Sequence, residues 1–375
     1  MNIKKTFKFR VYPTKKQESL LEKTLEECRW LYNYFLNERK TFYEITKKTP
    51  SKYDQMKNIL ELKKTRPELK NVPSQALQNV AVRIELAFQA FFRRCKIPGE
   101  KPGYPRFKGQ GRYHSFTYPQ NNNSFKFVEN NRIKLFKIGN VKIKKHRDIE
   151  GNPKTCTISR TPTGKWFVCI SCDNVPVTPL PKSKLEVGVD MGLKTFAVMS
   201  DGNKIDNPMF FKQEEKALGK VQRKLSKQAK GSRERRKLKK VVSKIHERVR
   251  NKRSDFLHKE ANKVVDKYGV ICVEKLLINK MIISGKKKKL SKSIADASWG
   301  TFLSLLSYKA ENAGRTLVKV NPAYTTQDCS ECGARKPLRL DERVYSCDVC
   351  GLVMDRDLNA SVNILSVGTH TLASA

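Results

Sequence analysis

Two cysteine pairs, Cys329 with Cys332 and Cys347 with Cys350, are spaced C-x2-C-x14-C-x2-C, and a segment built this way has few folds open to it. The spacing is close to that of zinc-ribbon modules. A two-residue gap lets both sulfurs of a pair turn toward one ion, and Zn²⁺ takes four tetrahedral ligands in closed structural sites. Gly333 and Gly351 follow the second cysteine of each pair, where a tight turn favours a residue without Cβ. Cysteine at all four positions leaves no place for a catalytic water, so the reading is one structural Zn²⁺. Four free thiols or a redox pair are the alternatives, and two matched pairs this close argue against both. Cys169 and Cys172 share the C-x2-C spacing but lie in a strand-like run with no second pair nearby. Strand geometry sends them to opposite faces, so they read as packing residues. MNIKKTFKFRVYPT at the N-terminus lacks the apolar run of a signal peptide. The chain is therefore expected in the reducing cytosol, where clustered cysteines suggest metal rather than disulfides.

Elsewhere the apolar periodicity divides the chain. Residues 2–12 alternate, with Lys5, Phe7, Phe9 and Val11 on one side of a strand and Lys4, Thr6, Lys8, Arg10 and Tyr12 on the other. Thr14 and Gln17 match a capping box, after which Leu21, Leu25, Cys28, Tyr32 and Phe35 recur on one helix face. A second helix is predicted from Ser74, with Leu77, Ala81, Ile84, Phe88 and Phe91 as its stripe. KIPGEKPGYPRFKG breaks the helical texture. From about 104 to 180 the chain is strand-like, and the first strand is expected to join that β unit. Beyond a PVTPLPKSK linker come strands in KLEVGVDMGLKTFAVMSDGNKI. A basic helical stretch over 212–266 follows, broken near Gly231, with Leu238, Val241, Val242, Ile245 and Val249 as its buried face. VICVE and RTLVKVN read as further strands, with helices over 297–313 and from about Asp357. Strands followed by alternating helices and strands give an RNase H-like order.

The charge limits what such a chain can bind. It carries 77 Lys and Arg against 36 Asp and Glu, a formal net charge of +41. That much self-repulsion calls for a polyanion, and nucleic acid is the expected one, because phosphate contacts release counterions. A membrane surface fits poorly, since no stretch approaches the roughly 20 apolar residues of a spanning helix.

Against this background three acids stand at the edges of apolar elements. Asp190 ends LEVGVD, Glu274 ends VICVE, and Asp357 begins the last helix in DRDLNAS. Each has a plain alternative: a turn residue before Gly192 for Asp190, a lysine partner for Glu274, a helix N-cap for Asp357. Together they fit phosphodiester cleavage, in which two hard cations roughly 3.5–4 Å apart activate water and stabilise the leaving oxygen. Mg²⁺ is held for such work by a few carboxylates plus substrate phosphate.

VGVDMGLKTFAVMSDG, VICVEKL and DRDLNASVNIL resemble the three RuvC motifs of TnpB proteins, which insertion sequences encode and which resemble the ancestors of type V CRISPR effectors. In that family the zinc ribbon falls between the second and third motifs, as here, and FKFRVYPTKKQESLL resembles the family's opening segment. The resemblance covers essentially the whole chain; its motifs are weak singly and specific in combination. It implies a multidomain α+β architecture: a β-barrel wedge domain over 1–13 and 96–182, with a helical recognition domain inserted at 14–95. A RuvC nuclease domain over 183–321 and 353–375 would follow, carrying the zinc-ribbon insertion at 322–352. It makes Asp190, Glu274 and Asp357 the catalytic acids, Asp190 bridging two Mg²⁺ (Mn²⁺ as a substitute). Asp355 is the second choice, because the family's acid directly precedes x-N-A.

The resemblance also implies the partners. TnpB proteins use a guide RNA derived from the transposon end, recognise a short motif beside the DNA target and cut both strands with one RuvC site. Guide RNA and double-stranded DNA are therefore expected, bound by a monomer in a prokaryotic cytoplasm. Lys5, Lys8 and Arg10 are candidate phosphate contacts or solvated strand residues. Ser74, Gln75 and Gln78 open a helix resembling the family's motif-reading helix, where Gln can bond adenine; a plain capped helix explains them equally well. Lys286, Lys287, Lys288 and Lys289 read as a lid-like basic loop, a nuclear signal or a solvated loop. Rival functions are a nuclease-inactive RNA-guided repressor, a transposase that joins DNA ends and a junction resolvase.

Overall fold

The computed structural model describes residues 2–121, 123–129, 131–284, 288–339 and 341–374, and the chain divides into two units, Met1–Pro176 and Val177–Ala375. The first opens with β1 (Asn2–Tyr12), in which Phe7, Phe9 and Val11 are buried as the alternation predicts. Burying each contributes roughly 1.5–3 kcal/mol. A one-residue slip would expose all three, so the register is fixed. Thr14 and Gln17 cap α1 (Lys15–Thr46) reciprocally, at 3.3 and 3.1 Å. Then come α2 (Lys52–Thr65), a 3-10 turn (Pro67–Asn71) and α3 (Ser74–Cys95). Six strands complete the unit: β2 (Ser115–Tyr118), β3 (Phe125–Val128), β4 (Arg132–Leu135), β5 (Gly139–Lys144), β6 (Asn152–Arg160) and β7 (Trp166–Pro176).

The seven strands run β2-β6-β7-β1-β5-β4-β3 in a nearly closed barrel. Placing β1 between β7 and β5 makes the helices an insertion into the β domain. A buried polar knot ties those helices together: Arg39 of α1 donates to Gln55 of α2 at 3.0 Å and to Glu85 of α3 at 2.8 Å. Along β7 Cys172 is buried and Cys169 half-buried on the opposite face, as packing residues should be.

The second unit contains β8 (Glu186–Met191), β9 (Thr195–Met199), β10 (Lys204–Asp206), α4 (Phe210–Ser226), α5 (Arg233–Lys267) and β11 (Val270–Glu274). After them come α6 (Ile278–Ser284), α7 (Lys288–Ala297), α8 (Trp299–Ala313), β12 (Thr316–Val320), β13 (Val344–Ser346), β14 (Val353–Asp355) and α9 (Arg356–Ala373). The five-stranded sheet is ordered β10-β9-β8-β11-β12. Its first three strands are antiparallel and β8, β11 and β12 are parallel, which is the RNase H-like arrangement. Val187, Val189, Ile271 and Val273 pack with Leu257, Ala261 and Val264 of α5 and Phe302 and Leu306 of α8. α9 covers the opposite face, where Ile364 meets Cys272, Val318 and Val320.

The basic helical stretch is broken where expected, with Gly231 left-handed (φ 89°) between α4 and α5. Its predicted buried face is only partly right. Ile245 and Val249 are buried and Leu238 and Val242 half-buried, but Val241 is 40% exposed. The main core contact of α5 lies further along, from Leu257 to Val265; its first half pairs with α4, a single thin helix that covers less.

Candidate active site and metal centre

β8 and β11 are parallel neighbours in register through Val189 and Val273. One step further along stand Asp190 and Glu274, on the face that α9 covers. That close cover depends on Gly188: a Cβ there would lie 1.9 Å from the Ser361 carbonyl oxygen. Gly368 does the same further along, where a Cβ would meet the Cys272 sulfur at 2.2 Å. Two positions without side chains thus let α9 lie against the strands, bringing its first turn, with Asp357, to the acid-bearing strand ends.

Asp190 is 9% exposed and Glu274 8%. Burial, then the neighbouring carboxylates of Glu274 and Asp357, push the Asp190 carboxyl up to about 7, against the opposing pull of Arg356 and the Met191 N–H. Glu274 is likewise raised by burial, offset by the Thr325 hydroxyl, which donates to its Oε1 at 2.6 Å. The three acids named from sequence are therefore gathered closely enough for Asp190 to feel both others. Two buried carboxylates and a half-buried one offer the oxygen donors that a hard cation such as Mg²⁺ takes, and its charge would relieve their repulsion.

The DRD run divides its labour. Asp355 is the N-cap of α9, accepting the N–H groups of Asp357 and Leu358 at 2.9 and 3.2 Å, and it pairs with Lys204 at 3.1 Å. Asp357 therefore does not serve as the N-cap that its position also allowed. Among the described residues its carboxylate has longer ion pairs, with Arg356 at 3.4 Å and Arg343 at 3.9 Å. Sequence reasoning missed Arg356 and Thr325. The signal for Arg356 was its place between two acids, whereas Thr325 bonds a residue 51 positions away and left none.

Cys329, Cys332, Cys347 and Cys350 come together with all sulfurs within 4.8 Å, the one such set of metal-ligand type among the described residues. Cys329 and Cys350 sulfurs are 3.6 Å apart, as are those of Cys332 and Cys347. Tetrahedral Zn–S bonds of about 2.3 Å give sulfur separations near that value. Backbone N–H groups of Cys350 and Val349 pull the Cys347 thiol down, while Cys332 and Cys350 are raised by burial and by the sulfurs around them. Gly333 and Gly351 are left-handed, at φ 75° and 74°, the turn their positions predicted. The four sulfurs fit one structural Zn²⁺.

The proposed nucleic-acid contacts are more scattered. Lys5 pairs with Glu150 at 3.3 Å. Lys8 lies 4.5 Å from the Phe167 ring, and Arg10 lies over the same ring with its Nη1 buried and, among the described residues, without a hydrogen-bond partner. Ser74 accepts from Lys63 at 2.8 Å and Gln75 from Ser124 at 2.8 Å, while Gln78 is exposed. No side chain caps α3, whose N-cap is Pro73. Lys286 and Lys287 lie outside the described residues. Lys288 and Lys289 begin α7 and so are not in a loop. Among the described residues no helix is long and apolar enough to cross a membrane.

Three family models match the chain. Residues 167–284 match OrfB_IS605, described as "Probable transposase"; residues 299–364 match the "Cas12f1-like, TNB domain"; residues 1–48 match a "Helix-turn-helix domain" of the same OrfB group. In this structure 1–48 hold β1 and the single long helix α1. Among relatives, the "Putative RNA-guided DNA endonuclease" of Streptomyces pristinaespiralis is 34% identical, over 98% of this chain and 90% of that protein. The like-named InsQ protein of Escherichia coli K12 is 32% identical, over 98% and 93%. In fold the chain resembles a solved Cas12f1–sgRNA–target DNA complex, with a TM-score of 0.56 at 14% identity, over 97% of this chain and 98% of that one. The chain belongs to the TnpB/Cas12f-type family of transposon-encoded, RNA-guided nucleases.

Proposed function

We propose that this protein is an RNA-guided DNA endonuclease that cuts both strands of its target through one centre formed by Asp190, Glu274 and Asp357. The observation that carries the reading is the convergence of three acids, from β8, β11 and α9, in a chain of net charge +41. A basic surface draws in polyanionic substrate, and the acids are what it would be delivered to. Asp190, Glu274 and Asp357 would hold two Mg²⁺ or Mn²⁺ ions, which when bound supply an activated water and charge stabilisation at the leaving oxygen. Arg356 and Arg343 lie beside Asp357 and orient that carboxylate. The cysteine cluster, with no open ligand position, serves structure.

The β-barrel and its inserted helices would grip a guide–target duplex by backbone shape, leaving sequence to base pairing. Gln78 of α3, exposed and near the start of that helix, is the best placed of the predicted motif readers. The RNA half of the reading rests on the relatives' names, and the guide is taken to derive from the transposon end and to bind a single copy of the protein.

The test is to express the protein with its flanking DNA, sequence the RNA that copurifies, and offer a matching duplex with Mg²⁺. Cleavage by wild type and none by Asp190→Ala is the expected result; equal rates would refute the site, and absence of a specific RNA would refute the guiding. The description "Probable transposase" for residues 167–284 favours one other reading, strand transfer by the same acids. Joined rather than broken DNA ends would identify it.

A further inference from the structure

Thr325 is 4% exposed, and its hydroxyl points at Glu274. It stands just past β12, where the chain leaves the sheet for the cysteine cluster. Asn321 starts the turn by accepting the Ala323 N–H at 3.1 Å, and Tyr324 adopts a left-handed φ of 65°. Side chains of α9 then hold this turn. Asn363 donates to the carbonyls of Thr325 and Asp328, at 2.9 and 2.7 Å. Asn359, fully buried, donates to the Asp328 carbonyl at 2.8 Å and accepts the Ser330 N–H at 3.0 Å. Cys329 lies between the last two backbone groups. The same few residues thus touch the helix that carries Asp357, the first cysteine of the cluster and the carboxylate of Glu274.

We infer that Thr325 is a positioning residue for Glu274, and that the folded cysteine cluster sets the acid centre through it. The hydroxyl donates to Oε1 at 2.6 Å, much shorter than its 3.3 Å approach to the Pro322 carbonyl, and so orients the carboxylate that would hold a cation. The inference rests on the reading of Glu274 as a cation ligand. Groups that orient a metal ligand typically change metal affinity by roughly 10–100-fold when removed. A valine at 325 keeps the shape and removes the donor, whereas a serine keeps the donor.

The experiment titrates Mn²⁺ into the purified full-length protein and follows free Mn²⁺ by electron paramagnetic resonance, with zinc content and melting temperature as controls on folding. Thr325→Val is expected to weaken Mn²⁺ binding by roughly 10–100-fold, with Thr325→Ser close to wild type. Cys347→Ser is expected to weaken Mn²⁺ binding in the wild-type background and to add little to Thr325→Val. Should the valine variant fail to fold, the serine and Cys347→Ser arms still decide: a serine variant as weak as Glu274→Gln, or a Cys347→Ser variant that binds normally, overturns the proposal. Wild-type affinity in a folded Thr325→Val, when Glu274→Gln has lost it, also overturns the proposal alone. A wild-type protein that binds no Mn²⁺, or a Glu274→Gln that binds it normally, overturns instead the reading on which the proposal rests.

Discussion

The Asp355 carboxylate accepts the backbone N–H of Asp357 at 2.9 Å, so one acid of the DRD run is occupied in starting the helix that presents the other. Replacing an N-cap typically costs about 1 kcal/mol. Asp355→Ala should therefore lower the melting temperature while retaining most guided cleavage. Asp357→Ala should abolish cleavage with little loss of stability. Paired melting and cleavage measurements separate the two; the reverse pattern would move the site to Asp355.

Asp190 is a buried acid held next to two others, an arrangement that strains the metal-free fold. Asp190→Asn should raise the melting temperature in Mg²⁺-free buffer by several degrees, equivalent to about 2 kcal/mol, and leave no cleavage. A lower melting temperature would show that the repulsion is already relieved.

Gly188 is a second sensitive point, because a Cβ there would lie 1.9 Å from the Ser361 carbonyl. Backbone cannot yield as a flexible side chain would. Gly188→Ala should cost about 3 kcal/mol or more, displace α9 and remove cleavage, read by thermal melting and by hydrogen exchange across 356–373.

Asp201 gives the pH dependence. Burial would raise its carboxyl, but Lys267 at 2.8 Å, Tyr268 at 2.5 Å and Asn203 hold it down to about 2. A depressed carboxyl stabilises the fold above its unfolded value near 4, and that contribution is lost as pH falls through 2. Asp201→Asn should be less stable by about 1 kcal/mol at pH 7, and the gap from wild type should close between pH 4 and 2 in denaturant titrations.

The four clustered sulfurs predict one zinc per chain by elemental analysis. Thiolate sites of this kind hold their segment folded only with metal bound. Chelation, or Cys347→Ser, should therefore raise hydrogen exchange across 322–352; a zinc-free protein with unchanged protection there would be decisive against the site.

The features legible in the sequence were those written in local spacing. The alternation of Phe7, Phe9 and Val11, the Thr14–Gln17 cap and the two cysteine pairs each need only neighbours along the chain, and each stands as expected. α2 escaped notice because it buries only Gln55, Ile59 and Leu62, too thin a stripe to show as a period. Val241 misled because periodicity reports an apolar face but not whether a partner covers it. The two acids of DRD look alike until the hydrogen bonds of Asp355 are seen, and the link from Thr325 to Glu274 spans 51 positions. Such pairs are made by the tertiary fold, and no window of sequence contains them.

The position of β1 in mid-barrel has a consequence for synthesis. Its neighbours β5 and β7 begin at Gly139 and Trp166, so on a ribosome adding roughly 5–20 residues per second β1 is without a partner for on the order of 10 s. The inserted helices, whose contacts are more local, can form in that interval. Through it β1 is an open strand edge with an apolar side, the kind of surface on which nascent chains aggregate. The lysines and arginine at positions 4, 5, 8 and 10 are placed to repel a second copy during that delay, whatever they later touch in the finished protein.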